Sequence, residues 1–255
     1  MTNKVALISG GGGGFGRTVA KAFSDDGYRI ALCDIDASRL KASADSLGHD
    51  TLVYEANLTN EADVEKMVKN TVQATGRIDF LFMSHGIVGG RTLLHEVSLD
   101  EWNSVVQTNL TGTFLCMKHV LPVMIGQRRG SIISLATGDS ARKFSAPYIA
   151  SKIGIEGLTV SVATEAREWN IGVYAVSPGG YANTLFHDHS YSLLHSKNYV
   201  PDEQLRRQVR AIEPEVILPF CKFAIKDDSL SLSGKTVNAL DWNEQHGLGR
   251  DTWYV

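Results

Sequence analysis

The chain has 255 residues, 43% of them hydrophobic and 21% charged, with a formal net charge of −3. That length supports a sizeable core without staples, and the near-neutral balance leaves no electrostatic footprint for a nucleic acid or an anionic membrane surface. Cys33, Cys116 and Cys221 are odd in number and each lies in an apolar run, which predicts buried free thiols rather than disulfides. No segment approaches the roughly 20 apolar residues of a membrane span. The apolar run before the glycines is too short for a signal peptide. A soluble, cytoplasmic protein is expected, with no metal site.

In chain order, apolar runs of strand length alternate with amphipathic segments. Val5–Ser9 reads as a buried strand, and Arg17–Asp26 as a helix stopped by Gly27. Tyr28–Cys33 is a second strand, Ala37–Leu47 a helix, Thr51–Glu55 a strand and Glu61–Ala74 a helix. Ile78–Met83 is a strand. Ser98-x-x-Glu101 fits a capping box that opens a long helix towards Met124. Ser131–Leu135, Ile171–Val176 and Thr236–Leu240 read as strands, and Tyr148–Trp169 and Glu213–Ile225 as helices. This βα alternation, with near-continuous apolar strands, predicts a single-domain α/β fold. It is a doubly wound, Rossmann-like parallel sheet of about seven strands with helices on both faces. Residues 180–212 break the rhythm and are expected to form a substrate lid over the one domain, 1–255.

The run LISGGGGGFGRTVA, Leu7–Ala20, lies between the first strand and the first helix. A dinucleotide pyrophosphate meets helix N-terminal amides at that place in this architecture. Two registers fit, Gly11-x-Gly13-x-x-Gly16 and Gly10-x-x-x-Gly14-x-Gly16. Asp34 ends the second strand 18 residues after Gly16, where an acid accepts from adenosine ribose hydroxyls and repels a 2′-phosphate. That favours NAD over NADP. Asp36 is placed to begin the next helix. Tyr148-x-x-x-Lys152 sets an ammonium one helical turn from a phenol, which favours phenolate and makes a usable acid/base near neutral pH.

With these motifs the chain resembles the short-chain dehydrogenase/reductase family over nearly its whole length. Ser9-Gly10-x3-Gly14-Phe15-Gly16 is similar to the family's Thr-Gly-x3-Gly-Ile-Gly loop, which picks out Gly10, Gly14 and Gly16. Asn109, Tyr148, Lys152 and Pro178-Gly179 match the asparagine, the tyrosine–lysine pair and the Pro-Gly turn at the nicotinamide. The resemblance implies that Tyr148 exchanges the proton with the substrate oxygen. Lys152 would lower its pKa and hold the nicotinamide ribose, while Asn109 positions a relay water. It also implies cofactor contacts from Phe15, Ile35, Asn57, Leu58, Ser84, Gly86, Tyr181 and Thr184, and a homodimer or homotetramer.

The chain departs from the family at several points. Ala136 and Thr137 stand where the family has two serines; Thr137 is the expected replacement, with Ser134 and Ser140 as alternatives. The Asn-Asn-Ala-Gly turn is Met83-Ser84-His85-Gly86, so His85 contacts cofactor or substrate, or only caps the strand end. Trp242, Trp253 and Tyr254, in a tail that replaces the closing glycines, pack either on a neighbouring subunit or within the core. Arg91, Ser140, Arg142, Lys143, His187 and His189 give the pocket a polar look, so a sugar, polyol or small hydroxy/oxo acid is expected. Two alternatives stand beside this: an NADP-dependent keto reductase of acyl or hydrophobic substrates, and a nucleotide-sensing protein without turnover.

Overall fold

The computed structural model describes residues 4–47, 50–90, 92–137, 144–179 and 211–254. Its strands are β1 (Val5–Ser9), β2 (Arg29–Asp34), β3 (Leu52–Glu55), β4 (Phe80–Met83), β5 (Gly130–Leu135), β6 (Ile171–Ser177) and β7 (Thr236–Asn238). They form one seven-stranded sheet in the order β3-β2-β1-β4-β5-β6-β7, and every neighbouring pair is parallel. The chain reverses its winding between β1 and β4. In open sheets of this kind ligands bind outside the carboxyl ends at that switch point.

Side chains on a strand alternate between faces, and that alternation divides the core in two. Ala6, Ile8, Phe80, Phe82, Ile133, Tyr174 and Val176 join one cluster with Val19 and Phe23 of α1 (Gly14–Asp25) and Leu40 of α2 (Ala37–Asp45). Phe220 and Cys221 of α7 (Leu218–Ala224) and Leu240 of α8 (Ala239–Gln245) complete that face. Leu7, Leu81, Met83, Ile132 and Val173 face the other way, onto α3 (Glu61–Thr75), α5 (Gly112–Gln127) and α6 (Ala146–Ala166). The result is a three-layer helix–sheet–helix stack. All three cysteines are free and buried, and burial pushes the Cys116 thiol up to about 12.

Strand ends fell within two residues of their expected places, and most helix ends did too; three differences have physical causes. The helix opened by Ser98 begins as α4 (Leu99–Val106), passes through a π-turn at Gln107–Thr111, and continues as α5. Ser98 Oγ accepts from Glu101 N at 3.1 Å as a cap should, but the Glu101 carboxylate turns to Gly90 N at 2.6 Å and fixes the loop after β4. β7 stops at Asn238, whose side chain accepts from Asp241 N and starts α8, so Leu240 is helical rather than strand. The helix expected over Glu213–Ile225 is a 3₁₀ turn at Pro214–Ile217 followed by α7.

The tail packs within its own chain. Trp242 lies 5.2 Å from the Phe220 ring and 4.8 Å from Phe223, and Trp253 and Tyr254 lean on the same core. Ile212 forms an antiparallel bridge with Tyr254, and Glu213 N donates to Trp253 O at 2.9 Å. Ile212 is itself a core residue; the rest of the expected lid, 180–210, lies outside the described residues. No helix among the described residues is long and apolar enough to cross a membrane.

Candidate active site

The glycine loop is a cradle in which side chains do not fit. Gly10 has φ +69°, and a Cβ there would sit 2.7 Å from His85 N and 2.8 Å from Ser84 Oγ. A Cβ on Gly16 would run into Gly10 O. Gly10 and Gly16 therefore belong to the register Gly10-x3-Gly14-x-Gly16, with Gly14 as the first residue of α1. Gly12 was not singled out from sequence, yet its Cβ would meet Arg39 Cβ at 2.9 Å. Gly13 is an N-cap with no side chain to offer, and the first helical donation is Arg17 N to Gly13 O at 2.9 Å. The amides of Gly14, Phe15 and Gly16 thus stand at the positive pole of the helix with no intrahelical acceptor. An anion fits there. Phe15 contributes only its backbone, because its ring is in the core.

Asp34 ends β2 beside this loop. Its Oδ2 accepts from Gly12 N at 2.9 Å and its Oδ1 from Asp36 N at 3.0 Å. The carboxylate is thereby held at the cradle's edge with lone pairs left to accept hydroxyl donors. Asp36 caps α2 and binds Arg39 Nε at 2.7 Å, and those bonds hold its carboxyl well below the usual range. Ile35 is 67% exposed and presents an apolar face beyond Asp34. Asn57 Oδ1 accepts from Thr59 N and Thr59 Oγ1 and shapes the turn after β3, while Leu58 packs below it in the core. Fixed amides, a carboxylate at the edge and a side-chain-free floor suit a dinucleotide.

The second group gathers where β4, β5, the π-turn and α6 meet. Lys152 is 4% exposed, and its Nζ donates to Leu135 O at 2.7 Å. Burial lowers its pKa to about 8. Its Nζ lies 5.8 Å from the centroid of the Tyr148 ring, one turn back on α6. Tyr148 is 8% exposed and packs on Val88 and Val105. Gly86 admits this cluster: a Cβ there would be 3.0 Å from Asn109 Oδ1 and 3.7 Å from Lys152 Nζ. Asn109 is fully buried in the π-turn. Its Oδ1 accepts from Ile87 N at 2.8 Å, and its Nδ2 donates to Ile87 O at 3.0 Å and Ser151 Oγ at 2.9 Å. Both amide protons are engaged by protein. The side chain therefore clamps the loop after β4.

Thr137 follows β5 and is 6% exposed, on the same rim as Leu135. Ser134 is fully buried within β5, and its Oγ has no hydrogen-bond partner among the described residues. Of the two readings of His85, the structure shows protein contacts: Nδ1 lies 2.6 Å from Ser9 Oγ and Nε2 3.5 Å from Thr113 Oγ1, both buried groups. Both ring nitrogens thus face protein hydroxyls. Ser84 Oγ donates to Ser9 O at 2.9 Å and lines the floor beneath Gly10. Pro178 is buried and Gly179 adopts φ +90° against Asn238 and Leu240, which fixes the turn after β6. Arg91, Ser140, Arg142, Lys143, Tyr181, Thr184, His187 and His189 lie outside the described residues. Among the described residues no group of three or more His, Cys, Asp or Glu side chains could hold a metal.

This switch-point cradle and Tyr–Lys pair define a nucleotide-dependent oxidoreductase of the α/β class. A sequence model of the short chain dehydrogenase family matches residues 4–191. The chain belongs to that family, whose members act on alcohol and ketone groups. It is 33% identical over 248 residues to (2S)-[(R)-hydroxy(phenyl)methyl]succinyl-CoA dehydrogenase subunit BbsD of Thauera aromatica, covering 93% of this chain and 95% of the relative. It is 35% identical over 184 residues to 3-oxoacyl-[acyl-carrier-protein] reductase FabG of Staphylococcus epidermidis, covering 69% and 75%. Its fold superposes on NAD+-bound xylitol dehydrogenase with a TM-score of 0.86 at 28% identity, covering 92% and 97%.

Proposed function

We propose that the protein is an NAD-dependent dehydrogenase/reductase that interconverts a secondary alcohol and a ketone. The observation that carries the catalytic part is a buried Lys152 ammonium fixed to Leu135 O and 5.8 Å from the Tyr148 ring. A non-catalytic nucleotide sensor has no use for a buried charge of that kind, since burying it costs stability unless it does chemistry. NAD is favoured because Asp34 stands at the cradle's edge and because Arg39, which packs beside Gly12, is paired with Asp36. A 2′-phosphate at Asp34 would meet a carboxylate.

The first-turn amides of α1 would hold the pyrophosphate, Asp34 the adenosine ribose and Lys152 the nicotinamide ribose. The bound nicotinamide supplies a hydride acceptor or donor. The protein handles the proton. During oxidation Tyr148 Oη takes it from the carbinol oxygen, and during reduction it returns it. The Lys152 charge favours the phenolate in either direction. Thr137 Oγ1 orients the substrate oxygen from the rim of β5. Asn109 keeps the loop after β4 seated over this centre. Three buried thiols suit a reducing, cytoplasmic setting.

A small polar substrate such as a sugar, polyol or hydroxy/oxo acid is the reading carried by the basic and histidine residues of 138–143 and 181–195. The likeness to xylitol dehydrogenase supports it. The 35% identity to the 3-oxoacyl-carrier reductase favours a second reading, an acyl ketone. Absorbance of reduced nicotinamide, followed across polyols, hydroxy acids and acyl ketones with NAD and with NADP, separates the two. Turnover confined to acyl ketones with NADPH overturns the first.

A further inference from the structure

His85 stands where the family's turn has a small residue, and the proposed dehydrogenation assigns it no step. Its surroundings are nonetheless specific. Ser9, the last residue of β1 and the doorway to the glycine loop, is 1% exposed, and among the described residues its Oγ has one hydrogen-bond partner, His85 Nδ1. If Nδ1 carried the proton, the buried Ser9 hydroxyl would have nowhere to donate; with Nδ1 bare, Ser9 O–H donates to it at 2.6 Å. On the other side, Thr113 Oγ1 already donates to Asn109 O at 2.7 Å, so it offers only a lone pair to Nε2, 3.5 Å away. Both neighbours select the Nε2–H tautomer. Gly112 leaves the room the ring needs: a Cβ there would be 3.1 Å from Nε2.

We infer that His85 is a positioning residue which, as the neutral Nε2–H tautomer, ties the dinucleotide loop to the π-turn that carries Asn109. One end of the link is Ser9, adjoining Gly10. The other is Thr113, which holds the Asn109 carbonyl, while the Asn109 side chain holds Ile87, two residues beyond His85. The turn is closed into a ring of contacts around Gly86. Movement of the cofactor loop is thereby transmitted to the Asn109–Lys152 centre. The charged group facing the ring is Lys152 of α6; β1 and α5 present it only Ser9 and Thr113, both neutral. Burial, followed by the charge of Lys152, holds the ring's pKa down to about 3, so the link keeps one protonation state across physiological pH.

This role rests on the dehydrogenase reading, but its first test does not. In the full chain labelled with 15N histidine, the His85 ring is expected to show a bare Nδ1 and a protonated Nε2, unchanged between pH 8 and pH 5. A proton on Nδ1, or titration near the ordinary 6.5, overturns the proposal. In titrations with NAD, His85→Ala is expected to weaken binding about tenfold, the effect of stranding one buried donor. His85→Asn, whose amide oxygen can replace Nδ1 as acceptor, should restore most of it. Ser9→Ala should cost nothing further in the His85→Ala background. Additive losses, or no rescue by asparagine, contradict the link. Failure of the wild type to turn over any alcohol would sink the dehydrogenase reading while leaving the tautomer and binding results to judge His85.

Discussion

The two ends of the candidate site are built from opposite materials. The dinucleotide end, Gly10–Gly16 with Asp34, works by leaving side chains out: Gly10, Gly12 and Gly16 have no room for a Cβ, and the helix start has no cap. The proton-transfer end packs side chains in: Asn109, Tyr148 and Lys152 are all buried, and Asn109 and Lys152 are tied to backbone. In the proposed function the first end would bind by shape and fixed dipoles, and the second would react through one charge held where water cannot screen it. Substitutions at the first should act on dinucleotide affinity, and at the second on turnover.

The largest effect is expected from Tyr148→Phe, which removes the acid/base: kcat should fall by about a thousandfold or more. NAD affinity should hardly change, and steady-state rates beside binding titrations will show whether the two ends separate in this way. Lys152→Met should lower kcat/KM by about a hundredfold, near the bottom of the range for a supporting proton-transfer group. It should not lower stability at pH 7. Burial depresses the lysine from 10.5 to about 8, so the folded state penalises its charge. The penalty is full below about pH 8 and gone above about pH 10.5, so wild-type stability should rise with pH across that window relative to Lys152→Met, by up to about 3 kcal/mol. Denaturant titrations at pH 7 and pH 10 measure it.

Gly16→Ala drives a methyl into Gly10 O and should weaken NAD binding by about a hundredfold, equal to about 3 kcal/mol of overpacking, with kcat at saturation largely kept. Asp34→Ala should raise the KM for NAD about tenfold and narrow its advantage over NADP, because one charge-assisted acceptor is lost. Thr137→Ala should cost several-fold in kcat/KM, as expected for one neutral hydrogen bond. A full-rate Thr137→Ala enzyme removes that residue from the site.

What could be read in the sequence follows the same division. The central strands were legible because each is a short apolar run with both faces buried, and the Tyr148–Lys152 pair because its spacing along one helix is the motif; the edge strands β3 and β7 are short and partly exposed. Gly12 escaped notice because its constraint is Arg39, on another helix. The π-turn at Gln107–Thr111 has no local signal; Asn109 reaching Ile87 and Ser151 accounts for it, and those contacts are long-range. Asn238 was read as strand because it sits in the apolar stretch TVNAL, although asparagine is also a helix cap. The role of His85 stayed open in the sequence because its partners Ser9 and Thr113 come from the first strand and the central helix, 76 and 28 residues away.

The central claim is that the Lys152 charge makes the Tyr148 hydroxyl acidic enough to exchange a proton with a carbinol. The pH profile of kcat/KM for alcohol oxidation, compared between wild type and Lys152→Met, tests it most directly. Loss of the cation should raise the tyrosine pKa, moving the acidic limb of the profile upward by about one pH unit or more. A limb that stays where it is, with only the height of the profile reduced, would show that Lys152 binds the dinucleotide but does not tune the phenol.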